Sequence, residues 1–151
     1  MRWLYLGIAL IAAPAGAVPL EFSGITAGSD VRYTRALACL NYFGNKDYRC
    51  KFSRGTFGDV SVRNSLVWFN KATFRPYSIT LFLNSRSENS AAKALVAAYG
   101  SPSNQGVVAV VRAPKQRGRY TSWAFDSGAS LVLLRAGDHL SLIISFPENE
   151  T

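Results

Sequence analysis

The stretch Tyr120-Thr121-Ser122-Trp123-Ala124-Phe125-Asp126-Ser127-Gly128-Ala129-Ser130-Leu131-Val132-Leu133-Leu134-Arg135-Ala136-Gly137-Asp138-His139-Leu140-Ser141-Leu142-Ile143-Ile144-Ser145-Phe146 decides the fold class. Three apolar segments, around Trp123, from Leu131 to Leu134 and from Leu140 to Phe146, are separated by Asp126-Ser127-Gly128 and Gly137-Asp138. Those separators are turn formers, so the stretch predicts three antiparallel strands in a meander.

Working outward, Ala91, Ala94, Leu95 and Ala98 recur at helical spacing after Ser87, and Gly100 with Pro102 supplies stop signals. Further upstream, Val60, Val62, Leu66 and Trp68 share one parity, Asn70-Lys71 offers a turn, and Tyr77, Ile79, Leu81 and Leu83 alternate with polar residues. A hairpin is predicted there. Before it, Tyr33, Ala36, Leu37 and Leu40 recur at i, i+3, i+4 and i+7, with Ser29 or Asp30 as cap and Gly44 as terminator, which predicts another helix. The expected order is a short opening strand, helix, two strands, helix, three strands. The expected fold is α+β, a single antiparallel sheet with two helices packed on one face.

The amino terminus carries Arg2, the apolar run Trp3 to Ala13, and Pro14-Ala15-Gly16-Ala17. A charged start, a short hydrophobic stretch and a small-x-small site match a signal peptide over residues 1–17. The expected location is therefore periplasmic or secreted, after cleavage near Ala17. Residues 18–151 are read as one α+β domain, with no segment long and apolar enough to span a bilayer. Val18 stands where a lipid-anchored protein would need Cys, so lipid anchoring is not expected. A composition of 48% hydrophobic and 13% aromatic residues excludes intrinsic disorder.

Cys39 and Cys50 are the two cysteines, and in an exported protein they are read as a disulfide tying a helix end to the following loop. A metal site would need further ligands, and redox pairs favour C-x-x-C spacing. Neither condition is met by a chain with one histidine and an 11-residue cysteine separation.

The phrase Phe22-Ser23-Gly24-Ile25-Thr26-Ala27-Gly28-Ser29, the later Tyr99-Gly100-Ser101-Pro102, and Trp123-Ala124-Phe125-Asp126-Ser127-Gly128 resemble small exported bacterial proteins. The helix-then-sheet plan is similar to that of small outer-membrane assembly lipoproteins and secreted β-lactamase inhibitory proteins. The resemblance implies a protein that binds another protein or an envelope component. The missing lipid-bearing Cys departs from the lipoproteins, and no functional residue carries over.

Catalytic, cofactor and metal residues are read as none, and the protein as not an enzyme. His139 beside Asp138 would need a serine from elsewhere to form a triad, and turn polarity explains it instead. The carboxylates are scattered, and the glycines fall singly rather than in a phosphate-binding loop. Asn149-Glu150-Thr151 fits a glycosylation sequon by chance.

Charge is the feature that points to a partner. Lys and Arg number 17 against 9 Asp and Glu, a formal net charge of +8. One cluster runs from Arg32 to Arg54 with Arg35, Lys46, Arg49 and Lys51 among Tyr33, Tyr42, Phe43, Tyr48 and Phe52. The other is Arg112, Lys115, Arg117 and Arg119 beside Tyr120. Cations beside flat rings suit an anionic surface, and equally a solvated loop. Arg49, Lys51, Arg112, Lys115, Arg117 and Arg119 are the anionic-ligand candidates, Tyr48 and Tyr120 the aromatic ones. The first expectation is a binding protein that holds an envelope or secreted protein by one sheet face or by the Arg112 to Arg119 loop. The alternative is a binder of anionic envelope polymer, lipopolysaccharide or peptidoglycan, through the basic clusters. Nucleic acid is disfavoured, because no nucleic-acid fold signature accompanies the charge.

Overall fold

The structure, a computed structural model, describes residues 19–34, 38–42, 47–52, 54–110 and 116–148. It holds ten strands: β1 (Ala38–Tyr42), β2 (Asp47–Phe52), β3 (Gly55–Phe57), β4 (Val60–Val62), β5 (Asn64–Asn70), β6 (Pro76–Leu83), β7 (Asn104–Val110), β8 (Gln116–Ala124), β9 (Ser130–Ala136) and β10 (His139–Ser145). One α-helix, α1 (Glu88–Tyr99), follows β6 through a 3-10 turn at Ser85–Ser87. The signal-peptide reading falls on residues 1–17, outside the described residues, as does the sequon.

Eight strands form one antiparallel sheet in the order β1-β2-β5-β6-β10-β9-β8-β7, and β3 pairs with β4 as a separate hairpin. The main sheet is two meanders, β1-β2-β5-β6 and β7-β8-β9-β10, joined where β10 pairs with β6. The connection through α1 carries the chain from the centre of the sheet to its far edge. The Gly137-Asp138 turn closes β9 onto β10, and Gly137 at φ 57° takes the left-handed conformation that a tight hairpin needs.

This corrects the expected fold class: the described residues are mostly β, and among them one α-helix, not two, packs on the sheet. The segment read as the first helix contains β1, paired residue for residue with β2. Asp30 does cap a turn, accepting from the Arg32 N–H at 2.9 Å, but that turn is a single 3-10 turn at Val31–Tyr33. At Leu40 the helical spacing lost to long-range pairing, in which Cys39 stands directly opposite Cys50, while Ala36 and Leu37 lie outside the described residues. The disulfide between them is present. It staples two neighbouring strands rather than a helix end to a loop. The Cα separation of 4.1 Å marks a non-hydrogen-bonded pair, where cross-strand side chains come closest. The segment Val60 to Trp68, read as one strand, breaks at Arg63 into β4 and β5.

The core lies on one face of the sheet. Strand alternation sends Val67, Ile79, Leu81, Leu131, Leu133, Leu142 and Ile144 to that face, all buried. Each such side chain contributes about 1.5–3 kcal/mol by leaving water. Against them lie Ala91 and Leu95 of α1, Phe57, Val60 and Val62 of the β3–β4 hairpin, and Phe22 and Ile25 of the preceding segment. Gly100 ends the helix, its N–H returning to the Val96 carbonyl at 2.8 Å. The Gly100 carbonyl then accepts from the Trp123 indole at 3.0 Å, fastening the helix end to β8. The other face carries half-buried Leu66, Trp68, Phe82, Val132, Leu134 and Ile143, and no helix among the described residues covers it.

Candidate functional site

Alternation decides where each predicted binding residue points. On β2, Tyr48 shares the core face with Cys50 and Phe52, whereas Arg49 and Lys51 take the opposite face. Arg49 stands opposite Trp68 in the register, its guanidinium 5.9 Å from the ring centroid. Tyr48 is half-buried, with the Lys71 ammonium 4.8 Å from its ring centroid. Lys51 is exposed. In the same sequence cluster, Arg32 folds back onto Asp30, pairing at 2.7 Å, and lies 4.2 Å from the Phe74 ring centroid. That hydrogen-bonded guanidinium holds the Asp30 carboxyl below the usual carboxylate range.

The second cluster sits on β8. Arg117 and Arg119 are exposed on the face shared with α1. Arg119 reaches Glu88, the first residue of the helix, at 3.1 Å, and Arg135 reaches the other oxygen of the same carboxylate at 3.5 Å. Tyr120 points to the opposite face. Its ring covers Gly106 of β7, where a Cβ would come within 3.0 Å of it, and its hydroxyl accepts from the Asn104 amide at 3.2 Å. Arg112 and Lys115 lie outside the described residues.

The two predicted clusters are therefore not one surface. Their described cations, Arg49 and Lys51 against Arg117 and Arg119, occupy opposite faces, and five strand spacings, about 24 Å, separate β2 from β8.

The structure instead gathers two features that the sequence reading did not. The first is the sheet edge at β7. Among the described residues no strand pairs with its outer side, and Val107 and Val108 are 64% and 41% exposed. Beside it runs a groove of about 370 Å³ lined by Glu88, Gln105, Val107, Arg119, Thr121 and Leu133. A readable signal existed: Val107-Val108-Ala109-Val110 is a β-branched run. The second feature is a basic rim at one end of the sheet. Register pairs Val107–Arg119, Arg119–Arg135, Arg135–Leu140 and Leu140–Leu83 form one row across it. At the inner end of that row Arg54, Arg63, Asp138 and His139 line a second groove of about 310 Å³.

Among the described residues no group of three His, Cys, Asp or Glu side chains is placed to hold a metal ion, and no helix is long and apolar enough to cross a membrane. Set beside protein-family models, curated proteins and solved structures, the chain shows no match.

Proposed function

We propose that this is a non-enzymatic binding protein whose open edge β7 takes up an extended segment of a protein partner as an added strand. The observation that carries the reading is the outer side of β7, which no strand among the described residues pairs, with its two exposed valines. An edge of this kind offers a row of backbone donors and acceptors, and natural proteins blunt such edges with charge or proline unless the edge is used. The adjoining groove supports the reading, because alternate side chains of an added strand would enter it on the α1 side. Arg117 and Arg119 beside the edge favour acidic residues in that segment. The signal pattern at residues 1–17 supports an exported address, and hence an envelope or secreted partner.

The test is affinity capture from an envelope fraction with the chain from Val18, washed at low and then high salt. A protein retained at high salt, lost with Val107→Lys/Val108→Lys and kept with Arg49→Glu/Lys51→Glu, is the expected result. Hydrogen exchange across Asn104–Val110 should slow in the complex. Retention unchanged by the double lysine variant would refute edge pairing.

The alternative, an anionic envelope polymer, is favoured by one observation: Arg49 and Lys51 share a face with Trp68. Polymer released steadily as salt rises, and lost with Arg49→Glu/Lys51→Glu, would decide for it.

A further inference from the structure

The groove at the inner end of the basic rim is built by segments far apart in the chain. Arg54 precedes β3, Arg63 and Asn64 form the corner between β4 and β5, Phe82 and Leu83 end β6, and Asp138 and His139 belong to the β9–β10 turn. Hydrogen bonds fix these walls before any ligand arrives. The Arg63 N–H donates to the Phe82 carbonyl at 2.9 Å, which holds the corner on β6. Arg135 donates to the Gly137 carbonyl at 2.6 Å and to the Ser85 carbonyl at 2.6 Å, which clamps the β9–β10 turn to the approach of α1. Asn64 accepts from the Ser65 N–H at 2.9 Å through its amide oxygen, leaving its NH₂ to donate.

The charges in this groove are unbalanced. Arg54 and Arg63 are exposed and neither makes an ion pair among the described residues, whereas Arg119 and Arg135 share Glu88 and Arg32 has Asp30. Among the described residues Asp138 is the one acid in the lining, against two guanidiniums. A guanidinium presents a planar fork that matches two oxygens of a phosphate or carboxylate. Phe82 and Leu83 add an apolar wall, and about 310 Å³ lies at the lower end of small-molecule sites. Arg119 and Arg135 continue the cations outward along the same row.

We infer that this groove is a binding site for an oxyanion, phosphate or carboxylate, carried on a sugar-sized ring. Arg54 and Arg63 grip the anion, the Asn64 amide and a His139 ring N–H donate to the remaining oxygens, and Phe82 takes the ring face. The site is separate from the β7 edge, which lies four strand spacings, about 19 Å, from β6.

Titration calorimetry with glucose 6-phosphate, glucuronate and glucose tests this. At least one of the two anions should bind where glucose does not, and which one binds tells phosphoryl from carboxylate. Arg54→Gln/Arg63→Gln should weaken that binding by about tenfold or more, since charged hydrogen bonds are removed. Asp138→Asn should bind the same probe more tightly, a gain that misfolding cannot produce. Arg117→Gln and Val107→Lys/Val108→Lys should leave it unchanged, so that failure here is distinct from failure of edge pairing. The site is overturned if neither anion binds better than glucose, or if the Arg54/Arg63 variant binds as the unaltered protein does.

Discussion

Tyr99 shows how one side chain can both pack well and sit at a cost. Its ring stacks 6.3 Å from Phe57 and meets the Phe125 ring edge-on at 5.4 Å, but its buried hydroxyl has no hydrogen-bond partner among the described residues. Burial pushes that hydroxyl from the ordinary 10.0 up to about 12. The unfolded chain therefore gives up the proton first. Stability owed to neutral Tyr99 is complete below pH 10 and is lost as pH rises towards 12. Burial, and then the charge of Asp47, push Tyr77 the same way, to about 12. Tyr99→Phe should gain about 1 kcal/mol at neutral pH by removing an unsatisfied polar atom. It should also flatten the fall of melting temperature between pH 10 and 12; equal alkaline slopes in both proteins would contradict this. Gly106 makes the opposite case, since a methyl there meets the Tyr120 ring. Gly106→Ala should cost about 1 kcal/mol in denaturant unfolding as the ring shifts and the Asn104 contact loosens. Neither effect is readable from sequence, because Phe57 and Tyr99, or Gly106 and Tyr120, become neighbours through the fold.

Among the elements, α1, β6, β9 and β10 were legible because their periodicity is unambiguous and turn residues mark their ends. Ala91 and Leu95 face inward as their spacing predicts, and Asn70-Lys71 and Gly137-Asp138 lie at reversals. β1 was not legible, since its helical spacing fits a helix as well, and what decides it is the strand and the cysteine opposite. Reduction should therefore loosen the β1–β2 pair. Opening a loop of 11 residues removes about 2–3 kcal/mol on the chain-entropy model, seen as a lower melting temperature with reductant present. Cys39 is exposed and Cys50 fully buried, so attack should begin at Cys39. β7 was hidden by its polar start, Asn104-Gln105-Gly106, and by the basic residues that follow it. For the same element, Val107→Lys/Val108→Lys should leave the unfolding free energy, measured in urea, within about 0.5 kcal/mol of the unaltered protein, because both side chains are exposed.

Across the molecule, the sequence showed that the protein is basic but not where the charge gathers. Arg54 and Arg63 come from the connections around the β3–β4 hairpin, and Arg119, Arg135 and His139 from strands of the second meander. Chain adjacency grouped Arg117 with Arg119 correctly, but it also grouped Arg49 with Tyr48, which point to opposite faces. The halves meet along the β6–β10 pair, where Leu81 stands beside Leu142 and Ile79 beside Ile144, all fully buried. Leu142→Ala should cost about 2–5 kcal/mol, measured by urea unfolding. β10 also follows every other strand of the sheet in chain order while lying at its middle. During synthesis, then, β6 keeps a bare inner side until His139–Ser145 has emerged, and the two meanders cannot be zipped together before that. A stop codon just before β10 would leave two unattached half-sheets, each with a fresh sticky margin, where loss of an outer strand would merely narrow the molecule.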